Sequence, residues 1–326
     1  MKNRLGFGAL VLSLAACGNN ASPDGAPAAS ASAAVPAATI VPVASAAPAP
    51  AASVDTHGIP IGIPFPAAKV LEVVNPKGAA PYKGPTGTLK GTIRLEGDEA
   101  PAVTGLKIPS KCGEASATYS KIFRVGLGKT LADAVVTVTG FDGIVPAEGE
   151  AMKITIHGCA LARRTIAATF GQRIEVANLD PDQQYMPYLV GAPSEAILVA
   201  VGNGSPVKLY PQQAGHYLVR DMLPNPFLQA DVFVLPYATH DVTGLDGQYE
   251  IKSIPVGRVK VNAFLPVLVR KLAEEKLTEI KPGENKLDFT IKFDLKKDME
   301  GVSTKGPPPA STVAPTPGPP ASPPIP

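Results

Sequence analysis

The placement of proline decides first what this chain can fold into. Six of its 36 prolines lie in residues 19–54 and ten in residues 306–326. Proline lacks a backbone donor and clashes with the preceding helical turn, so neither stretch can hold a continuous helix. Both stretches are Ala/Pro/Ser-rich, almost uncharged and without aromatics. With few large apolar side chains to bury, chain entropy wins and both are expected to be disordered. The first then serves as a spacer. The second is either a ligand for an aromatic groove or, as composition favours, a solvated tail.

Between them the texture is that of strands. Residues 64–74 (PFPAAKVLEVV) carry a short helical pattern opened by Pro66, and residues 75–85 read as loop. Residues 88–95 (TLKGTIRL) and 286–293 (KLDFTIKF) alternate with period two. Residues 134–138 form a β-branched run, as in a strand buried on both faces. Further short candidates lie at 153–157, 165–168, 173–177, 197–201, 229–234, 248–251 and 258–263, separated by Gly, Pro, Asn and Asp. This spacing predicts an all-β chain, an antiparallel β-sandwich. Residues 267–278 are expected to hold one short helix, with Lys271, Glu274, Glu275 and Lys276 on its solvated face.

The N-terminus places the molecule. Lys2 and Arg4 precede an apolar run at 5–14, too short to span a bilayer of roughly 30 Å hydrocarbon. Leu14-Ala15-Ala16-Cys17 resembles the lipobox of bacterial lipoproteins, which implies cleavage before Cys17 and its acylation; an ordinary signal peptide is the other reading. Gly18 lacks the inner-membrane retention signal, so the resemblance implies an outer-membrane lipoprotein facing the periplasm or cell surface. Lys+Arg number 30 and Asp+Glu 28; without Lys2 and Arg4 the count is 28 against 28. A neutral chain argues against nucleic acid, which requires a clustered basic excess.

Besides Cys17 there are two cysteines, Cys112 and Cys159. Export favours a bridge between them, worth about 4 kcal/mol in the chain-entropy model. Metal ligation or two free thiols are the rivals, though neither cysteine has a CxxC or a His at zinc spacing.

Three segments carry a resemblance. Lys111-Cys112-Gly113 is followed by the buried run and by Gly158-Cys159. Residues 170–180 (FGQRIEVANLD) form the second segment, and 243–251 (TGLDGQYEI) with Ile254-Pro255-Val256-Gly257 the third. Together they are similar to bacterial envelope proteins that join a cupredoxin-like sandwich to a carboxypeptidase-regulatory (transthyretin-like) segment. In the third, Asp246-Gly247 is also a hairpin signal in its own right, and Tyr249, Ile251, Val259 and Val261 alternate inward. The resemblance implies a leader at 1–16, a lipidated tether at 17–58, a helix and loop at 59–86, the cupredoxin-like sandwich at 87–236, the regulatory-like segment at 237–297 and a tail at 298–326. It also implies copper ligands, and these are missing. Gln184 stands where the first His belongs, Asp221 or Met222 replaces Cys, Asn225 replaces the second His, and Leu228 replaces Met. A blue site needs two imidazoles and a thiolate, so no cofactor is expected.

Other chemistry is weak. His57, His157, His216 and His240 are scattered, although His216 with Met186 or Met222 would be a minimal metal set. His240-Asp241 and Asp180-Pro181-Asp182 offer acid–base or calcium readings without the required spacing. Gly128-Lys129-Thr130 has Phe123 where a phosphate loop needs Gly. Ser110, Ser116 and Ser194 have no nucleophile-elbow context. The expected function is therefore a lipid-anchored, non-catalytic envelope protein that binds protein or polysaccharide, and not an enzyme. The alternative is periplasmic copper handling or electron transfer with atypical ligands. The candidate binding surface is Gln184, Tyr185, Tyr188, Met222, Asn225 and Phe227, with Met186, Pro224 and Pro226 beside them. These residues either meet a partner or fill the space of the lost metal as an apolar plug.

Overall fold

The computed structural model describes residues 53–54, 58–192, 197–268, 273–300 and 304. The leader, Cys17, nearly all of the tether and nearly all of the Pro-rich tail lie outside the described residues. In chain order the strands are β1 (Ser53–Val54), β2 (Pro60–Ile61), β3 (Thr86–Gly97), β4 (Val135–Thr139), β5 (Ala151–His157), β6 (Ala160–Leu161), β7 (Thr165–Thr169), β8 (Arg173–Asn178) and β9 (Pro187–Val190). They continue as β10 (Val207–Leu209), β11 (Gly215–Asp221), β12 (Gln229–Leu235), β13 (His240–Val242), β14 (Gln248–Pro255), β15 (Gly257–Phe264), β16 (Ala273–Ile280), β17 (Gly283–Lys286) and β18 (Phe289–Phe293). Three helices accompany them: α1 (Ala67–Val74), α2 (Gly113–Tyr119) and α3 (Leu295–Asp298).

The strands build two β-sandwich cores. The first packs sheet β10-β8-β5-β6 against sheet β7-β12-β11-β9 around Ile156, Ile174, Val176, Val219 and Val232. The second packs β13-β4-β15-β16 against β14-β3-β17, with β18 also paired to β3, around Leu89, Ile93, Val136, Val261 and Phe289. Within the sandwiches most pairs are antiparallel, but β5–β8, β7–β12, β3–β17 and β3–β18 are parallel. Alternation along a strand sets which side chains are buried and leaves the direction of its neighbour open.

The expected division at residue 236 does not separate these cores. β3 and β4 precede it, yet both belong to the second sandwich: β3 is the central strand beside β14, β17 and β18, and β4 lies between β13 and β15. The segment that carries β5 to β12 is thus inserted into the second sandwich. The β-branched run in β4 has a physical reason. Val136 and Val138 enter the second core, while Val135 faces a small cluster with Ala167, Leu235 and Val242 that joins the two sandwiches. A strand covered on both faces needs apolar residues on both.

Three local expectations are corrected. Of the helix expected at 267–278, Val267 and Leu268 end a short 3-10 turn (Pro266–Leu268), residues 269–272 lie outside the described residues, and 273–278 are extended. Ala273–Ile280 is β16, paired along its whole length with β15. Exposed Glu275, Leu277 and Glu279 alternate along this edge strand, and such charge blunts edge-to-edge association. Residues 286–293 form β17 and β18, interrupted where the Thr92 amide donates to the Asp288 carboxylate. Residues 197–201 form no strand and contribute only the bridge between Ala200 and Tyr185.

Candidate functional site

The first sandwich ends in a knot of polar bonds around Asp180. β5 and β6 are joined by Gly158-Cys159, both with positive φ (54° and 63°), as a two-residue hairpin turn requires. Both amides of this turn donate to the Asp180 carboxylate, Gly158 at 2.7 Å and Cys159 at 3.0 Å. The Tyr185 hydroxyl donates to the same carboxylate at 2.6 Å. Asn178 fixes the Asp180 turn: its Oδ1 accepts from the Asp180 amide, and its Nδ2 donates to the carbonyls of Gln183 and Ala200. Cys159 is also bonded to Cys112, at the start of α2, across 47 residues. The expected disulfide is therefore present, and it ties α2 to the turn that Asp180 holds.

Burial raises the Asp180 pKa, but the Tyr185 hydroxyl and the Cys159 and Gly158 amides outweigh it, and the carboxyl is held below its ordinary range. Tyr185 moves the opposite way. Burial, and then its bond to the Asp180 carboxylate, push the phenol well above its ordinary value.

The neighbouring loops close around a second carboxylate. Asp221, the last residue of β11, accepts from the Met186 amide at 2.7 Å, the Leu223 amide at 3.2 Å and the Asn225 side-chain amide at 2.7 Å. Here desolvation dominates, and the pKa is raised in spite of these donors. Phe227 is buried beside Tyr119 of α2, with ring centroids 6.0 Å apart.

Of the six expected surface residues, Tyr185 (0% exposed) and Phe227 are core and cannot meet a partner. They fill the interior. Gln184 is exposed, Tyr188, Met222 and Asn225 are half-buried, and Asn225 is committed to Asp221. For copper, the donors at this end are amides, the Met186 and Met222 thioethers and the Asp180 and Asp221 carboxylates, each already holding three donors, with one imidazole, His157, beside the Asp180 turn. The set lacks a pair of imidazoles, its cysteines are joined in the disulfide rather than free as thiolates, and it does not fit the ion. Among the described residues no three His, Cys, Asp or Glu side chains cluster to hold a metal.

The other candidates resolve into structure. His216 bonds Asp231 across β11 and β12 at 2.8 Å and stacks on Phe233, so it does not join Met186 or Met222. His240 and Asp241 turn to different partners. The imidazole lies 3.1 Å from the Thr169 hydroxyl, its pKa lowered by burial to about 4, while Asp241 accepts from the Val242 and Glu250 amides. Lys129 donates to the Gly97 carbonyl, not into a phosphate nest. A cavity of about 60 Å³ lined by residues such as Val74, Phe141 and Tyr237 is far below the roughly 300 Å³ of the smallest usual ligand pockets.

Sequence reasoning did not single out two features. The first is a pair of buried ionic bonds: Arg124 makes a bidentate contact with Asp133 at 2.6 and 2.7 Å, and Asp133 also accepts from the Arg164 amide. The second is an apolar row. Ile197 (72% exposed), Val199 and Val201 face outward, while Leu198 packs on the first core and Ala200 is buried. This segment rests on the Asp180 turn. The Asn203 amide donates to the Asn178 carbonyl, and a Cβ at Gly202 would stand 2.4 Å from the Asp180 carbonyl. Leu179 on the turn is exposed as well. The alternation at 197–201 reads as a strand in the sequence, which it does not form, and nothing in it marks the side chains at 197, 199 and 201 as outward-facing.

No protein-family model matches the chain, and no curated protein matches it. Several solved structures are similar to part of it. Auracyanin A, a "blue" copper protein from Chloroflexus aurantiacus, is 19% identical over 26% of this chain and 97% of its own, with a TM-score of 0.22. Amicyanin from Paracoccus versutus is 17% identical over 30% of this chain and 96% of its own, at 0.23. The Cu-containing nitrite reductase from Thermus scotoductus SA-01 is 14% identical over 29% of this chain, at 0.24, and this chain spans 24% of its length. Likenesses this slight carry no argument about metal or activity.

Proposed function

We propose that this is a lipid-anchored, non-catalytic binding protein of the bacterial cell envelope. In this reading its first sandwich is a cupredoxin-like scaffold without copper, and its second resembles a carboxypeptidase-regulatory segment. One observation carries it: the end where copper would sit is filled by Tyr185 and Phe227 and closed by the Asp221 cap, while an aliphatic row stands exposed beside it. Leu179, Ile197, Val199 and Val201 suit a protein partner better than a polysaccharide, which binds chiefly through hydroxyl hydrogen bonds and aromatic stacking. The anchor rests on Leu14-Ala15-Ala16-Cys17.

A photo-crosslinking residue at Val199 in cells tests the surface. Discrete protein adducts from position 199, absent from a probe at the exposed Lys153, are expected. Copper titration tests the scaffold reading: the purified protein should stay colourless and its Tm should not move. Stoichiometric copper binding at micromolar affinity or tighter would restore the electron-transfer reading.

A further inference from the structure

β3 and β4 are both strands of the second sandwich, yet the chain between them, residues 98–134, leaves that sandwich and returns. Its buried side chains divide by position. Ala100, Ile122, Phe123 and Leu131, toward the two ends of the segment, enter the second core. Cys112, Ala115 and Tyr119, in and just before α2, enter the first, and Leu106 and Ile108 pack against it. The segment is a strap, rooted in one sandwich and laid across the other. Its two parts are held differently. At the root the Val103 amide donates to the Ser120 carbonyl and the Ile122 amide to the Pro101 carbonyl, so the two arms clasp each other. Phe123 meets Phe293 of β18 edge-on at 5.1 Å, and Arg124 holds Asp133. α2 has little of this. It has seven residues, too few for a helix to persist in water without packing. Among the described residues two hydrogen bonds join it to the first sandwich. The Ala115 amide donates to the Gly158 carbonyl at 3.1 Å, and the Leu161 amide to the Tyr119 hydroxyl at 3.1 Å. The third tie is the Cys112–Cys159 disulfide. The turn on its far side has a holder of its own, because the Asp180 carboxylate accepts from both turn amides. Opening the bond therefore frees the strap before it frees the turn.

We propose that this strap is a redox-set latch: the disulfide buckles α2 onto the first sandwich, and without it α2 lifts while both sandwiches stay folded. Closing the buckle is a thiol–disulfide exchange. The Cys112 and Cys159 thiols give up two electrons and two protons to a donor disulfide, which leaves as a dithiol, and a reducing dithiol runs the same step backwards. The lifted state differs in what it exposes. Tyr119 leaves the Phe227 ring, and Ala115 leaves the core beside it, so the end of the first sandwich next to the Asp180 turn is uncovered. Oxidation thus fastens a cover over an apolar end. Local openings of this kind belong to elements with few hydrogen bonds and little packing of their own.

Hydrogen exchange of the full chain, read peptide by peptide by mass spectrometry, tests the latch in Cys112→Ala. This variant opens the buckle and leaves Cys159 and its bond to Asp180 in place. Amides of residues 113–120 should exchange about 30-fold faster than in the wild type, which is what about 2 kcal/mol, the lower end of a disulfide's usual contribution, amounts to. Amides of β5, β11 and β12 in the first sandwich, and of β3 and β15 in the second, should keep their wild-type rates. Cys159→Ala should speed residues 113–120 in the same way. Wild type kept in dithiothreitol, its two free thiols confirmed by mass, supplies the comparison without a substitution. Unchanged exchange at 113–120 overturns the proposal, because packing and the two hydrogen bonds then suffice to hold α2. Faster exchange throughout the first sandwich, or a variant that does not fold, also overturns it and makes the bond a support of the whole fold. So does an effect of Cys159→Ala that Cys112→Ala lacks, since that effect belongs to the turn.

Discussion

Asp180 and Asp221 lie at the same end of the first sandwich, each buried and each accepting three hydrogen bonds. Their carboxyls nonetheless shift in opposite directions, Asp180 down and Asp221 up. The number of donors therefore does not set the sign. Depth is one difference, since Asp221 is 3% exposed and Asp180 9%. The donors differ as well. Asp180 receives a hydroxyl and both amides of a disulfide-held turn, and His157 adds a smaller favourable field. Asp221 receives an amide side chain and two loop amides, and desolvation outweighs all three. One carboxylate is a structural anion. The other is a cap retained at some electrostatic cost.

Removing each acid in turn breaks the pair most directly. Asp180→Ala leaves the Gly158 and Cys159 amides and the Tyr185 hydroxyl without their acceptor. We expect a loss of about 3–5 kcal/mol in urea unfolding, the scale for stranding several buried donors of a charge-assisted network. Tyr185→Phe is milder. It removes the strongest favourable contact of Asp180 and strands no donor, so about 1–2 kcal/mol should be lost. The same variant should raise the Asp180 pKa, read from the carboxyl carbon in an NMR titration. A pKa that stays put would mean the turn amides suffice.

Little of this pair was legible in advance. Asp180-Pro181-Asp182 reads as a turn from composition alone, and the turn is there. What Asp180 holds is 21 and 22 residues away, on Cys159 and Gly158, and no local pattern encodes that contact. Tyr185 and Phe227 read from sequence either as partner contacts in loops or as an apolar plug; a sandwich end must be filled, and these two rings fill it. The Cys112–Cys159 bridge was readable, since an exported chain with two remaining cysteines leaves few pairings. A turn at Asp246-Gly247 was readable too, because Gly247 supplies the positive φ (68°) it demands, but it is not the expected hairpin: β13 and β14 on either side of it belong to different sheets. Sheet membership of β3 and β4 was not, because alternation names a strand without naming its neighbour.

Asp221→Asn should cost far less than any change at Asp180, within about 1 kcal/mol at neutral pH. The substitution removes a buried charge while Oδ1 still accepts from Met186 and Leu223. The loss is the contact with Asn225, where two amides then face each other. If Asp221→Asn proves as damaging as Asp180→Ala, depth does not distinguish the two sites.

The smallest effect, and the most specific, is on pH dependence. An unfolded aspartate titrates near about pH 3.9. The folded pKa of Asp180 lies below that value, so its stabilisation is complete above it and is lost as pH falls from there through the folded pKa. Asp221 has its folded pKa above that value. As pH falls through it, the native state takes up a proton before the unfolded state does, and stability rises until about pH 3.9, below which the contribution is constant. The two acids thus act on opposite sides of one pH. In urea melts between about pH 6 and pH 3, the stability of the wild type relative to Asp221→Asn should improve on the way down to about pH 4 and then level off. Relative to Tyr185→Phe, the wild-type advantage should hold to about pH 4 and shrink below it, as Asp180 takes up its proton and no longer accepts the hydroxyl as a charged group. A flat difference for Asp221→Asn through the upper window would place its carboxyl at or below the unfolded value and remove the contrast between the two sites.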